Sequence, residues 1–191
     1  MATRLIAQTQ YPVSLTEAKF RLRIDDTGVP ATDGAQDADI GAMIEAATQL
    51  AESMTRRSIA TTQWRLTLDA FPAEIRLLHP PIVSVQSIQY IDPNGATQTL
   101  PATEYSVDSA SEPGRIQPAA GTQWPETMQT ANALTVNYTA GWGANAPAAV
   151  KQFVLLQVAH MYRHREAVSE KPLTVVPYGE RLLDAYKLWE V

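Results

Sequence analysis

Two histidines four residues apart, His160 and His164, have the type and spacing in this chain that come nearest to a metal or catalytic site. On a helix that spacing puts both imidazoles on one face, as zinc-binding helices require. The helical zinc motif also needs a glutamate after the first histidine, and Met161 and Tyr162 stand there instead. Glu166 lies two residues past the pair and points elsewhere, with Arg163 and Arg165 alongside. The pair therefore reads as the solvated or interface-facing end of a helix, and a metal-dependent hydrolase built on it is the alternative. Asp33, Asp37 and Asp39 suggest a cation loop, but an EF-hand counted from Asp33 puts Ala38 and Ile44 where glycine and glutamate are required. Helix capping explains these aspartates better. Arg21, Arg23, Arg56 and Arg57 form the one basic group, with no aromatic residue interleaved. They read as solvated helix faces, and a small DNA-binding module using them is the second alternative.

The chain has no phosphate-binding glycine loop and no G-x-S-x-G nucleophile elbow. It has no cysteine, which excludes thiolate zinc, iron–sulfur and cysteine-nucleophile chemistry together with disulfides. The expectation is a non-enzyme, with no catalytic, cofactor-binding or metal-binding residues. What remains is a candidate for binding: Leu182, Leu183, Tyr186 and Trp189 form one apolar stripe on a short tail helix. Pro172 and Pro177 set this tail apart from what precedes it. A helix of about three turns is unstable alone in water. The stripe must be buried, either on its own domain or in a partner's groove with Tyr186 and Trp189 as anchors.

The elements that position these residues follow from periodicity. Ser14 and Glu17 match a capping box, which starts a helix carrying Leu15, Ala18 and Leu22 on one face and ending near Asp25. Asp37 or Asp39 caps a longer helix to about Arg57, with Ile40, Met43, Ile44, Ala47, Leu50, Ala51 and Met54 on its buried stripe. Period two then takes over at Trp64, Leu66 and Leu68, and short strands follow near 75–78, 83–91, 97–100, 104–107, 114–117 and 133–139. Asp92-Pro93-Asn94-Gly95 is a hairpin turn between two of them. Pro147 opens a third helix, whose apolar residues from Val150 to Met161 cover more than one face, as a central helix requires. Helices, a run of antiparallel strands, a helix and a tail make an α+β fold. The expected division is one domain over 1–171 and a tail helix over 172–191.

Of 191 residues 45% are hydrophobic and 18% charged, enough for a sizeable core, and the net charge is -5. The stretch 58–150 holds three basic residues, none a lysine, against seven acidic ones. A protein gripping phosphates carries the opposite balance. The apolar run Leu5-Ile6-Ala7 is too short for a signal peptide, and the greasy stretch from Phe153 to Tyr162 is too short for a bilayer span. A soluble protein with no membrane partner is expected.

Pro12-Val13-Ser14-Leu15-Thr16-Glu17-Ala18-Lys19 leading to Leu22-Arg23-Ile24-Asp25 resembles the opening of tailed-phage head–tail connector proteins, a family found also in gene transfer agents and prophages. The resemblance continues through Asp39-Ile40, Ala51-Glu52, Thr55-Arg56-Arg57, Gln63 to Asp69, Pro80 to Val85 and Ser87 to Tyr90. Tyr138-Thr139-Ala140-Gly141-Trp142-Gly143, Pro147, Val150-Lys151-Gln152 and Ala159 to Arg163 complete it, so it spans most of 11–166. It implies a non-enzymatic adaptor that forms a ring, usually twelvefold, beneath the portal and extends the DNA exit channel. The implied partners are the portal protein, a tail-side connector or stopper protein, further copies of the chain, and genomic DNA passing without specific binding. The implied place is the head–tail junction of a virion or virion-like particle, after synthesis in the bacterial cytoplasm. The resemblance also favours docking of the tail on the portal or a neighbouring subunit, although the part after Arg165 matches it least. The acidic middle suits a duct that lets DNA pass.

Overall fold

The computed structural model describes residues 2–24, 35–164 and 177–189. The chain divides into two compact units: 1–9 with 61–141, and 10–60 with 142–191. The architecture is α+β, as expected.

Unit 1 is all β. Its larger sheet has the strand order β1 (Ala2–Gln10), β2 (Thr61–Leu68), β8 (Leu134–Ala140), β4 (Ile82–Ile91), β5 (Thr97–Thr99). A smaller one has the order β3 (Ile75–Leu77), β7 (Gly114–Pro118), β6 (Tyr105–Asp108). Strand pairing is antiparallel wherever β2, β4 and β5 meet β8 or each other. Burial in β8 alternates residue by residue, so Leu134, Val136, Tyr138 and Ala140 face the core while Thr135, Asn137 and Thr139 face out. Register carries that division across the sheet: Leu66 and Ile88 flank Val136 on the core side, and Arg65 and Ser87 flank Asn137 outside. Two bulges in β4, between Ile82 and Ser84 and between Val85 and Ser87, keep its later residues in phase. Ile75, Leu77 and Ile116 of the smaller sheet complete one core with them.

The hairpin turn forms where it is expected. Gly95 takes φ 83°, and the Asp92 carboxylate accepts from the Asn94 and Ala96 N–H groups at 2.9 and 3.0 Å. Strand β1 is the element that periodicity missed. Its run Thr-Arg-Leu-Ile-Ala-Gln-Thr-Gln has no clean alternation to mark it as a strand.

Unit 2 is helical: α1 (Leu15–Leu22), α2 (Ala35–Thr55), α3 (Ala148–Arg163) and α4 (Pro177–Arg181). The capping box stands as read, with Ser14 N–H donating to Glu17 Oε2 at 2.7 Å and Glu17 N–H donating to Ser14 Oγ at 3.2 Å. Helix α1 stops sooner than Asp25, because Arg23 turns into the left-handed region at φ 57°. Helix α2 runs from Ala35, so Asp37 sits inside its first turn, where it favours the dipole, and neither Asp37 nor Asp39 is the cap. Asp37 also pairs with the Lys19 ammonium of α1. Of the stripe expected on α2, Leu50 lies at the rim and is 43% exposed. Thr48 is buried in the stripe instead, its hydroxyl donating to the Ile44 carbonyl at 2.7 Å. Helix α3 is central, packing against α1, α2 and α4 and burying Val150, Phe153, Val154 and Val158.

Candidate functional site

The tail is where the expected binding residues meet the structure. Helix α4 ends at Arg181, and Leu182 and Leu183 form a turn. Asp184–Tyr186 is one 3-10 turn, and residues 187–189 have no regular structure. The three-turn helix is thus a five-residue helix and a tighter turn. Its last N–H groups bond three residues back, Leu182 to Gly179 and Leu183 to Glu180, which rotates successive side chains away from one straight stripe.

The four stripe residues separate accordingly. Leu183 is fully buried among the helices of its own unit, and Leu182 and Tyr186 pack partly buried against the same core. Trp189 is 77% exposed.

The tail is held in place by Arg57, which reverses the expectation that it sits on a solvated face. Arg56 takes φ 58° after the last turn of α2, and this reversal carries Arg57 inward. Arg57 is buried, its Nε donating to the Tyr186 carbonyl at 2.6 Å, with the guanidinium 5.6 Å from the centre of the Trp142 ring. Tyr186 meets Trp142 edge-on at 5.9 Å. The Leu188 N–H donates to the Thr55 carbonyl at 3.0 Å, which takes up one of the free carbonyls at the end of α2. Glu52 accepts from the Ile59 and Ala60 N–H groups at 2.7 and 3.0 Å, fixing the turn that delivers Arg57. Periodicity could not find this clamp, since Arg57 is one basic residue in a run of two. Arg21, Arg23 and Arg56 are exposed, as expected.

His160 and His164 do share a face, with ring centres 4.8 Å apart at the exposed end of α3. Among the described residues no three His, Asp or Glu side chains gather as a metal site. Glu166 and Asp33 lie outside the described residues, as does Arg165. No described helix is long and apolar enough to cross a membrane.

The outer face of the larger sheet is polar and bonded within itself. Arg65 Nε donates to Asn137 Oδ1 at 3.1 Å, and Asn137 Nδ2 donates to Ser87 Oγ at 3.0 Å. Gln86 bridges Thr139 and Ser84. Arg65 is the one charged side chain among the residues whose register places them on this face. Glu74, Asp92 and Asp108 of unit 1 are engaged close to home. Glu74 is held below its ordinary range by Arg76 and then Gln117, Asp92 by Gln98 and the turn N–H groups, and Asp108 by Ser111.

No protein-family model matches the chain, and no curated protein matches it. Its fold is that of chains in solved gene transfer agent (GTA) particles. A chain from the virion of a native GTA particle superposes with a TM-score of 0.75 at 22% identity, covering 100% of this chain and 97% of that one. A chain from the neck of an empty GTA particle, computed with C6 symmetry, gives 0.77 at 24% identity with the same coverage. One from the neck of a native GTA particle, computed with C12 symmetry, gives 0.70 at 20%.

Proposed function

We propose that this chain is a structural subunit of the head–tail junction of a phage-like particle, an adaptor that rings the DNA exit channel beneath the portal. The observation that carries the reading is the fold shared, over the chain's whole length, with chains from the necks of GTA particles. The motif resemblance over 11–166 points the same way. The role is mechanical and not catalytic: copies of the chain join portal above to tail-side connector or stopper below, and genomic DNA passes without specific binding. A net charge of -5 and a polar outer sheet face bonded within itself both suit a duct that does not hold phosphates. The working place is the particle, after synthesis in the bacterial cytoplasm.

The tail contributes to docking through Trp189. Leu183 and Tyr186 fasten the segment to its own unit, and this presents the indole outward with little left to order on binding. The partner is the portal or the neighbouring copy. The test is a reconstruction of particles carrying the tagged chain, together with co-purification of chain and portal. A ring of copies directly below the portal is expected. A chain that is absent from the particle, or that binds no portal, overturns the reading.

A further inference from the structure

The larger sheet of unit 1 ends on two edges, β1 on one side and β5 on the other. All three residues of β5 are exposed. Its ladder fixes which backbone groups lie open. Leu100 N–H donates to the Ile88 carbonyl and Asp92 N–H to the Ala96 carbonyl, while Gln89 pairs with Thr99 and Ile91 with Thr97. In an antiparallel ladder the bonded pairs alternate, so Thr97 and Thr99 turn their N–H and C=O groups away from β4. The Ile91 N–H confirms the phase, since it donates to Ala133 on the β8 side.

Natural edges are guarded by shortness, lysine, proline, a bulge or a covering element, and of these β5 has only its three-residue length. Thr97-Gln98-Thr99 carries no charge and no proline, and the bulges of β4 lie at its opposite end, between Ile82 and Ser87. The edge is also preformed: Asp92 Oδ2 accepts from the Gln98 amide at 3.0 Å, so the carboxylate that closes the turn also holds the strand. On the other edge β1 carries one charge, Arg4, and no acidic residue, and its Ile6 is 43% exposed. Two different edges of one sheet are what a heterologous contact needs, because each copy can then meet one neighbour through β5 and the next through β1.

We infer that the β5 edge of one copy pairs with the β1 edge of a second copy, joining their sheets through backbone hydrogen bonds at Thr97 and Thr99. This rests on the ring reading above and names the surfaces that close the ring. The second copy is the occupant because one chain supplies both edges, neither repels the other by charge, and the neck structures with this fold were computed with C6 and C12 symmetry.

Thr97→Pro and Thr99→Pro test it, because each removes an outward N–H while sparing the bonds to β4. Thr97→Val and Thr99→Val are the controls that keep the N–H. Self-association of the full chain is measured by sedimentation, alone at rising concentration and with the portal protein. The proline variants should associate tenfold or more weakly, and the valine variants should match the parent. Because the chain has no cysteine, Thr97→Cys protein mixed with Ile6→Cys protein should also form a bismaleimide cross-link between copies. That measurement decides the matter should a proline variant misfold. Rings that form equally well with proline, and no cross-link, overturn the edge pairing while leaving the ring reading intact. Loss of rings with proline but no cross-link to Ile6→Cys means another segment occupies the edge, which overturns β1 as partner. A parent chain that stays monomeric throughout, portal included, overturns the ring reading and this inference with it.

Discussion

The β unit and the helical unit leave different groups exposed. Unit 1 turns out a polar sheet face whose side chains already bond to one another, and the most exposed large apolar residue among those described in it is Val83. Unit 2 turns out aromatic rings: Phe20 and Trp189, at 83% and 77%, are the most exposed large apolar side chains described. A self-satisfied polar face has little to offer a partner, so what unit 1 can still bind lies in the backbone of its edges. Within the described helices of unit 2 the backbone is bonded away from the ends, so what these helices offer a partner is side chains. The two units therefore suit two kinds of contact.

The largest effect expected comes from separating core from anchor within the tail. Leu183→Ala should destabilise unit 2 by about 2–5 kcal/mol, because the site is fully buried among helices that cannot easily collapse onto it. Trp189→Ala should change stability by less than about 0.5 kcal/mol yet weaken portal or neighbour binding. Urea unfolding and portal co-purification read the two. A tail whose two variants behave alike in both assays would erase the distinction. Truncation after Lys171 should act like Leu183→Ala and more, since Arg57 then loses the carbonyl it bonds.

In unit 1 the corresponding weak point is a close approach of backbone to side chain. A Cβ added at Gly114 would stand 2.6 Å from Ile82 Cγ1, inside the core where β7 meets the start of β4. Gly114→Ala should therefore cost about 1–3 kcal/mol, with unit 2 unaffected. Ile82→Ala, which removes the clashing Cγ1, should make Gly114→Ala cost less in the double variant than it does alone. Thermal unfolding followed by far-ultraviolet dichroism measures both, and an unchanged Gly114→Ala midpoint would show that β7 has room to spare.

How far sequence could be read differs between the units for the same physical reason. Alternation and turn chemistry are local, so the strands of unit 1 after β2 and the Asp92–Gly95 turn were legible within a residue or two, and β2 was legible from Trp64 although it starts at Thr61. So were the start of α1, at its Ser14–Glu17 box, and α3, whereas α1 ends at Leu22 and not near Asp25. Two long-range features were not. Arg57 is buried because of its bond to Tyr186, 129 residues away, and no periodicity encodes that. The tail stripe looked continuous because its spacing fits an α-helix, but the 3-10 turn at Asp184–Tyr186 divides it between core and solvent. The separate placement of its residues, Leu183 in the core and Trp189 in solvent, comes only from tertiary packing.

Acid sharpens the comparison, because each unit has its own titrating group. In unit 1 His79 stacks on Trp64 with centres 4.2 Å apart, half-buried at φ 61°. Burial holds its imidazole below the ordinary 6.5, so the neutral ring is the folded form. The stability this contributes is present above 6.5 and drains away as pH falls through the lower folded value. His79→Phe keeps the stack and should remove the dependence in this range, followed by Trp64 fluorescence during unfolding. A slope unchanged by the substitution would assign it to another group.

The smallest effect belongs to the capping box of unit 2. Hydrogen bonds from the Ser14 N–H and then the Ser14 hydroxyl hold Glu17 below its ordinary 4.5, with Lys151 a minor contributor. A carboxyl lowered by folding stabilises the fold above its unfolded value and loses that contribution as pH falls through the folded one. The window is therefore below 4.5, under the range in which unit 1 begins to weaken. Ser14→Ala should cost about 1 kcal/mol at neutral pH, less where solvent and salt screen the carboxylate. The gap between parent and Ser14→Ala should narrow once Glu17 is protonated. It should not close, because Ser14 Oγ still accepts from the Glu17 N–H at 3.2 Å, a bond that does not titrate. Urea midpoints at pH 7, 5.5 and 3 separate the cases. At pH 5.5 unit 1 alone should have lost stability and the Ser14→Ala gap should be intact. A loss at 5.5 that unit 2 shares equally in parent and Ser14→Ala, with the gap kept, would mean that the two units unfold as one.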